Sequence, residues 1–213
     1  MLNVLPDAPG ARDPEPFADG DHPMRRITRE AAADAGWHPE RAARITDLFD
    51  GMASAWSEEH VDPTKAAPVG DALDRGRVPL DGDWLELGSG TGAGARVLEG
   101  RVGSLVCTDL SFEMLRHAPD LAPRVRADAT SLPFADDRFD AALLINMLLF
   151  PTELLRVLRP SGTVVWVNTL GDQTPIHLSI DEVGDALTAV DGVARTGFTA
   201  RAGTGFWATF TAA

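Results

Sequence analysis

Four glycines alternate with other residues directly after a short apolar stretch that contains a glutamate. The segment 85–94 reads LELGSGTGAG, with Glu86 two residues before the first glycine, Gly88. Glycine in a turn costs conformational entropy, so four of them at every second position require a physical reason. Without Cβ atoms the chain can turn sharply and a ligand can lie on the backbone. This segment therefore predicts close contact between the backbone and a bound molecule.

A second acidic residue, Asp109, lies 21 residues after Gly88 and ends the apolar stretch SLVCTD (104–109). If both stretches are parallel strands, their carboxyl ends meet where ligands of open α/β sheets bind. A carboxylate there can accept hydrogen bonds from both vicinal hydroxyls of a ribose. Amide N–H groups at the start of the helix that follows the glycines point into the same site. Together these features predict a cofactor that contains a nucleoside.

The glycines alone do not decide which nucleoside cofactor binds. GSGTGAGA (88–95) can be fitted to the G-x-G-x-x-G/A pattern, so a nicotinamide-dependent oxidoreductase stays open. A phosphate-binding P-loop needs a lysine beside the last glycine, but the only lysine is Lys65. The sequence has no tyrosine, which excludes a short-chain dehydrogenase with its catalytic tyrosine and leaves other dehydrogenases open.

Strands and helices alternate along the chain after residue 80. The apolar patterns predict seven strands, near 83–87, 104–109, 123–127, 139–145, 162–168, 193–201 and 205–211. Helices are predicted between them, near 92–100, 112–118, 152–158 and 180–189, and Ser111 is the expected N-cap of the second. This order predicts an α/β fold with a doubly wound, mostly parallel seven-stranded sheet, helices on both faces and an antiparallel last strand.

The chain divides into three predicted parts. Residues 1–23 carry five prolines and little periodicity, which predicts a disordered or loosely attached tail. Residues 24–80 are predicted to form a helical N-terminal cap, because apolar residues recur at helical spacing between Pro39 and Trp56 and a second helix fits 64–76. Residues 81–213 are the predicted ligand-binding domain.

Composition and charge narrow the function classes. A net charge of −13 over 213 residues disfavours binding to a nucleic acid backbone. The single cysteine, Cys107, excludes a cysteine zinc site and an internal disulfide framework, and no metal is expected. The longest apolar run, AALLINMLLF (141–150), is too short for a membrane span. With no signal peptide in the sequence, a cytoplasmic location is expected, and the oligomeric state stays open, a homodimer being one option.

Four stretches, in order, resemble the motifs of the class I S-adenosylmethionine-dependent methyltransferases, which have a Rossmann-like fold. They are LELGSGTG, CTDLSFEML, ADATSLPFADDRFDAALLINML and LLRVLRPSGTVVWVN. The resemblance covers residues 83–170, and Ser161 replaces one glycine of the usual pair in the last motif. Upstream, FDGMASAWSEEH (49–60) resembles the lead-in of the ubiquinone/menaquinone-type branch, with Trp56 and Ser57 at the positions of its usual tyrosine and acid.

The resemblance implies methyl transfer from S-adenosylmethionine to a small organic acceptor, by in-line attack on the sulfonium methyl, with S-adenosylhomocysteine as product. Glu86 is implied near the ammonium group of the cofactor, and Asp128 near the amino group of the adenine. The full implied cofactor set is Glu86, Gly88, Ser89, Gly90, Gly92, Asp109, Leu110, Met114, Asp128, Ala129, Asn146 and Trp56. The only catalytic candidates are His177 and Asn146. A non-catalytic binding or partner protein with the same fold stays open as the alternative.

Overall fold

The computed structural model describes residues 2–16, 22–59 and 63–213, without the side chains of 57–59 and 63–65. Its strands are β1 (Leu2–Val4), β2 (Asp83–Leu87), β3 (Ser104–Asp109), β4 (Arg124–Arg126), β5 (Phe139–Ile145), β6 (Leu158–Asn168), β7 (Arg195–Ala202) and β8 (Gly205–Ala212). Its helices are α1 (Pro23–Ala32), α2 (Pro39–Glu59), α3 (Pro63–Arg75), α4 (Ala93–Leu98), α5 (Phe112–His117), α6 (Pro151–Val157) and α7 (Ile180–Asp191). A short 3₁₀ turn covers Gly171–Gln173.

The strands form one sheet in the order β1-β7-β8-β6-β5-β2-β3-β4. Strand β8 is antiparallel to both of its neighbours, and every other neighbouring pair is parallel. The predicted doubly wound, mostly parallel sheet with an antiparallel last strand is confirmed. The described residues give eight strands instead of seven, because β1 adds one at the edge next to β7.

Helices cover both faces of the sheet because its central strands are apolar on both sides. Leu143 and Leu144 are neighbours on β5, both fully buried, yet they belong to two different core clusters. Successive side chains of a strand point to opposite faces, so a continuous apolar run requires cover on each side. From β2 the chain continues to β3 and β4, then returns to β5 at the other edge of β2. The loop after β2 therefore lies at the switch point of the sheet.

The prediction of a disordered or loosely attached tail over residues 1–23 is wrong for residues 2–16. Strand β1 pairs with β7, and three further backbone bonds continue this pairing. Their donors and acceptors are Leu5 N to Thr199 O at 2.8 Å, Ala8 N to Arg201 O at 2.8 Å and Arg12 N to Gly203 O at 2.9 Å. An edge strand presents unpaired N–H and C=O groups, and an extended, proline-containing segment can pair at an edge. Met1 and residues 17–21 lie outside the described residues.

The predicted cap contains a helix that the sequence patterns did not indicate. Helix α1 begins at Pro23, and the His22 side chain accepts a hydrogen bond from Met24 N at 3.2 Å. Its buried residues Met24, Thr28 and Ala31 are spaced for one helical face. Proline at the first helical position was the available signal. Where the helices are described, none is long and apolar enough to cross a membrane.

Deleting residues 2–12 should lower the free energy of unfolding by about 3 kcal/mol. The reason is the loss of at least three backbone hydrogen bonds at about 1 kcal/mol each, together with exposure of the β7 edge. Urea denaturation of the full chain and the deletion variant measures the difference.

Two single substitutions provide a matched pair for this test. Leu5→Ala should destabilise the fold, since Leu5 packs against the core. Val4→Ala should change stability by less than about 0.5 kcal/mol, because Val4 is 82% exposed. An unchanged urea midpoint for the deletion would show that the tail is loosely attached in solution.

Candidate functional site

The turn after β2 has a backbone that only glycine adopts without strain. Gly88 has φ +71° and Gly90 has φ +53°, both in the left-handed region. A Cβ atom on Gly88 would lie 2.3 Å from Met147 Sδ, so a larger residue would have to displace the Met147 side chain as well as adopt a strained backbone. A Cβ on Gly90 would meet nothing within 4 Å, because this part of the turn faces open space. The backbone at Gly90 is therefore accessible to a ligand.

The carboxylate of Asp109, at the end of β3, fixes this turn. Its Oδ2 accepts a hydrogen bond from Gly90 N at 2.8 Å, and its Oδ1 accepts one from Ser111 N at 2.8 Å. Burial raises the pKa of Asp109, while these two amides act in the opposite direction. A carboxylate offers about four acceptor positions, so about two remain for a ligand. Ser111 in turn caps α5 by accepting from Met114 N, which confirms its predicted role as N-cap.

Glu86 lies beneath the turn and is 2% exposed. Its Oε1 accepts a hydrogen bond from Gly94 N at 3.1 Å, and its Oε2 accepts one from Cys107 Sγ at 3.5 Å. Burial raises its pKa to about 7, and the nearby charge of Asp109 adds to the shift. A Cβ on Gly94 would lie 2.2 Å from Oε1, so a glycine at this position leaves room for the carboxylate.

One cavity brings together ten of the thirteen residues that the sequence singled out. They are Trp56, Glu86, Gly88, Ser89, Gly90, Asp109, Leu110, Met114, Ala129 and Asn146. Two hydroxyl oxygens of the cavity lining, Ser89 Oγ and Thr91 Oγ1, are buried without a hydrogen-bond partner among the described residues. A buried hydroxyl without a partner is costly, so these atoms suit a polar ligand.

The outer walls of the cavity are apolar. Helix α2 contributes Ile45, Phe49 and the predicted Trp56, and the turn before it contributes Trp37. The opposite wall consists of residues 147, 148 and 150, which follow β5, and of Ile176 in the loop after β6. The sequence patterns did not single out Trp37. The available signal was a single tryptophan between Gly36 and the start of α2 at Pro39.

Asn146 combines a strained backbone with a fixed side chain. Its φ is +47°, which is uncommon for a residue other than glycine. Its Nδ2 donates to Thr169 Oγ1 at 2.8 Å, and its Oδ1 accepts from Thr169 N at 2.9 Å. The side chain thus joins the ends of β5 and β6 at the cavity wall. Any catalytic role of Asn146 stays a prediction.

Three predicted site residues are not part of the cavity lining. Gly92 is the N-cap of α4. Asp128 accepts hydrogen bonds from Trp37 Nε1 and from Thr130. The His177 ring packs edge-on against Phe206, its Nδ1 has no partner in the described part of the chain, and burial lowers its pKa. Its neighbour Ile176 points to the cavity instead, because adjacent residues of the extended loop face different sides.

Metal-ligating residues are not grouped in this structure. Among the side chains described, no set of three or more His, Cys, Asp or Glu residues is arranged to hold a metal ion. The charged residues that line the cavity are the two carboxylates Glu86 and Asp109. The site is therefore acidic at the sheet and apolar towards the cap.

The comparison with known proteins agrees with this geometry. A family model described as "Methyltransferase domain" matches residues 85–166, which run from β2 into β6. A demethylmenaquinone methyltransferase of Clavibacter sepedonicus is 31% identical over 146 residues, covering 59% of this chain and 58% of that protein. The biotin biosynthesis bifunctional protein BioHC of Cellvibrio japonicus is 32% identical over 149 residues, covering 65% of this chain and 27% of that protein.

A solved structure supports the same fold. The SAM dependent methyltransferase from Aquifex aeolicus superposes with a TM-score of 0.60 at 17% identity, covering 84% of this chain and all of that one (100%). At 17% identity, this similarity is evidence for the fold alone. The chain spans 58% and 27% of the lengths of the two curated relatives, so those likenesses concern a shared domain.

Replacing Glu86 by glutamine should remove a distinctive pH dependence of stability. Because the folded pKa of about 7 exceeds the ordinary value of 4.5, the protonated carboxyl stabilises the fold below about pH 4.5. That contribution is lost as the pH rises through 7. Between pH 4.5 and 8 the wild type should lose about 3 kcal/mol relative to Glu86→Gln, measured by urea denaturation.

The exposed residue Glu99 provides the control for this measurement. Glu99→Gln should keep the pH dependence of the wild type. Parallel stability curves for the wild type and Glu86→Gln would mean that Glu86 titrates near its ordinary pKa in the folded protein.

Proposed function

We propose that this chain is a class I S-adenosylmethionine-dependent methyltransferase, which transfers a methyl group from S-adenosylmethionine to a small, partly apolar organic acceptor. The observation that carries the proposal is the bond from Gly90 N to the Asp109 carboxylate. It joins the glycine turn to the acid that ends the next strand, at the mouth of a single cavity. Bound S-adenosylmethionine supplies an activated methyl group on a sulfonium ion.

The residues around the turn fit such a cofactor. The remaining acceptor positions of Asp109 suit the two hydroxyls of a ribose, and the open backbone at Gly90 lets the ligand approach. The unpaired hydroxyls of Ser89 and Thr91 offer further hydrogen bonds. Glu86, buried and close to Asp109, gains a favourable interaction if an ammonium group binds nearby. Leu110 and Met114 provide apolar contact for the adenosine.

The chemical role of the protein in this proposal is positioning. Alignment of acceptor and methyl group can supply roughly 7–11 kcal/mol of the barrier. The described lining contains no histidine, lysine, arginine or cysteine, and both of its carboxylates accept hydrogen bonds within the protein. A general base is needed only for an acceptor that arrives protonated and weakly acidic. The lining therefore favours an acceptor that is already nucleophilic or readily ionised.

The acceptor itself is constrained by the walls of the cavity. Trp37, Phe49 and Trp56 of the cap line it together with Leu148 and Phe150, and this apolar surface excludes water from the reacting groups. The two curated relatives bear names from quinone and biotin metabolism at nearly equal identity. We therefore propose a small organic acceptor, whose chemical identity is to be determined by experiment. The cytoplasmic location and the homodimer stay predictions.

S-adenosylhomocysteine should bind and stabilise the protein, and NADH should not. At about 100 times its Kd the ligand should add roughly 2.7 kcal/mol to the free energy of unfolding. Thermal denaturation with each ligand measures this, and calorimetry gives the Kd. Stabilisation by NADH alone would favour the nicotinamide oxidoreductase. Tight binding of S-adenosylhomocysteine without methyl transfer to any of a panel of aromatic and aliphatic acceptors would favour the non-catalytic alternative.

Asp109→Asn should weaken S-adenosylhomocysteine binding by about 10–150-fold. The amide loses the charge that receives the ribose hydroxyls, and its NH₂ group cannot accept from the backbone amide that it faces. Calorimetry measures the Kd. The control is Asp120→Asn, a carboxyl that is 94% exposed, which should leave the Kd within about twofold. Equal affinities for the wild type and Asp109→Asn would remove Asp109 from the site.

A further inference from the structure

Most side-chain hydrogen-bond donors in the cavity wall are already used within the protein. Five of them donate to acceptors elsewhere in the chain: Trp37 to Asp128, Thr46 to Ala42, Thr108 to Glu86, Ser111 to Asp50 and Asn146 to Thr169. The two buried hydroxyls that have no partner in the described part of the chain, Ser89 Oγ and Thr91 Oγ1, belong to the glycine turn. Outside that turn, a methyl acceptor therefore meets walls whose side-chain donors are largely directed elsewhere.

The charge of the lining disfavours an anionic acceptor. The charged side chains of the described lining are the carboxylates of Glu86 and Asp109, and burial already raises the pKa of both. A phenolate, thiolate or carboxylate that entered the cavity would lose its hydration and add a further negative charge. Among the described lining side chains, no arginine, lysine or histidine would compensate for that charge.

A hydroxyl or N–H acceptor would need a group to receive its proton, and both carboxylates are poorly placed for this role. Glu86 lies beneath the turn with 2% exposure, and its two oxygens accept hydrogen bonds from Gly94 N and Cys107 Sγ. Each oxygen of Asp109 accepts a hydrogen bond from a backbone amide. A general base must reach the proton that it removes. The described lining therefore favours an acceptor that loses no proton.

Four aromatic residues line the cavity as two edge-on pairs. The ring centroids of Trp37 and Phe150 are 5.0 Å apart, and those of Phe49 and Trp56 are 6.3 Å apart. Aromatic rings pack well against flat apolar molecules, and their faces attract cations. Walls of this kind suit a flat ring that carries a positive charge and needs few hydrogen-bond donors.

We propose that the acceptor is a flat heteroaromatic base, which is methylated on a ring nitrogen that bears a lone pair and no proton. The inference rests on the proposed function, since it names the acceptor class of the same site. The nitrogen lone pair forms a bond to the methyl carbon, and the carbon–sulfur bond breaks with its electron pair staying on sulfur. The positive charge moves from sulfur to nitrogen without any proton transfer. The product is an N-methyl cation that the aromatic rings bind.

Charge balance is the reason why such an acceptor fits the lining. The sulfonium is near Glu86 and Asp109 before the transfer, and the methylated ring keeps one positive charge in the cavity after it. Methylation of a phenolate or thiolate would instead remove the sulfonium charge and form a neutral ether or thioether. The cationic product therefore retains a favourable electrostatic interaction with the buried carboxylates that a neutral product lacks.

Three bicyclic probes of the same shape test which atom is methylated: isoquinoline, 2-naphthol and naphthalene-2-thiol. Each is incubated with the full chain and S-adenosylmethionine, and mass spectrometry of the methylated product gives kcat/KM. Isoquinoline should exceed the other two by at least about tenfold, because it alone needs no base and enters without a negative charge. Faster methylation of the naphthol or the thiol would overturn the proposal.

Binding to the protein loaded with S-adenosylhomocysteine gives a second test, which decides the matter if none of these probes is methylated. The ligands are the cation 2-methylisoquinolinium, its neutral isostere 2-methylnaphthalene and the anion naphthalene-2-carboxylate. Calorimetry should show that the cation binds at least about fivefold more tightly than the isostere, and that the anion binds most weakly. Equal affinity of cation and isostere, no binding of the cation, or tightest binding of the anion would overturn the proposal.

Phe49→Leu and Leu48→Ala form a matched pair of variants on α2. Phe49 lines the cavity, so replacing its ring should lower the preference for the cation over 2-methylnaphthalene by at least about threefold. Leu48 is 47% exposed and lies outside the described lining, so Leu48→Ala should keep the wild-type preference. An unchanged preference in Phe49→Leu, or an equal fall in both variants, would overturn recognition of the cation by the aromatic rings.

Calorimetry with S-adenosylhomocysteine separates this inference from the proposed function. A wild type that binds S-adenosylhomocysteine but prefers the oxygen or sulfur probe would overturn the acceptor class and leave the proposed function intact. Failure of the wild type to bind S-adenosylhomocysteine would overturn the proposed function as well.

Discussion

The hydrogen bonds that the Asp109 carboxylate accepts from Gly90 N and Ser111 N are the interaction on which the site depends. They tie the turn after β2 to the end of β3, 19 residues further along the chain, and to the start of α5 directly after it. Gly90 has a left-handed backbone, and its partly buried amide needs an acceptor, which the Asp109 carboxylate provides. The strand order brings that anion to the turn, because β2 and β3 are neighbours and parallel.

The burial of two acids at this point has an electrostatic consequence. Glu86 and Asp109 both have raised pKa values, chiefly because they are removed from water; the charge of Asp109 adds to the shift of Glu86, and the charge of Asp50 adds to that of Asp109. Among the described residues, the hydrogen bonds that the two carboxylates accept come from backbone amides or a thiol, and not from a basic side chain. A cationic ligand would therefore offset the unfavourable electrostatic free energy of the two buried carboxylates. This agrees with a cofactor that carries an ammonium and a sulfonium group.

The sequence predicted the sheet well because its signals are local. Strand β5, the glycine turn and the Ser111 cap are each encoded within a few residues, and the structure contains all three. The positions of Trp37 and of residues 2–16 could not be predicted in this way. Trp37 reaches the site only because α1 and α2 fold back over the sheet, and the pairing of β1 requires a strand edge formed near the other end of the chain. Both are tertiary contacts without a periodic pattern in the sequence.

The pairing of β1 with β7 also affects the order in which the strands can pair during synthesis and folding. Leu2 lies opposite Gly197 in the register, a separation of 197 − 2 = 195 residues. A ribosome synthesises β1 long before β7 exists, so β1 must remain unpaired until β7 has been made. Closing so long a loop adds to contact order and slows folding, although its entropic cost grows only slowly with length. Strand β1 is thus made early but can pair only late.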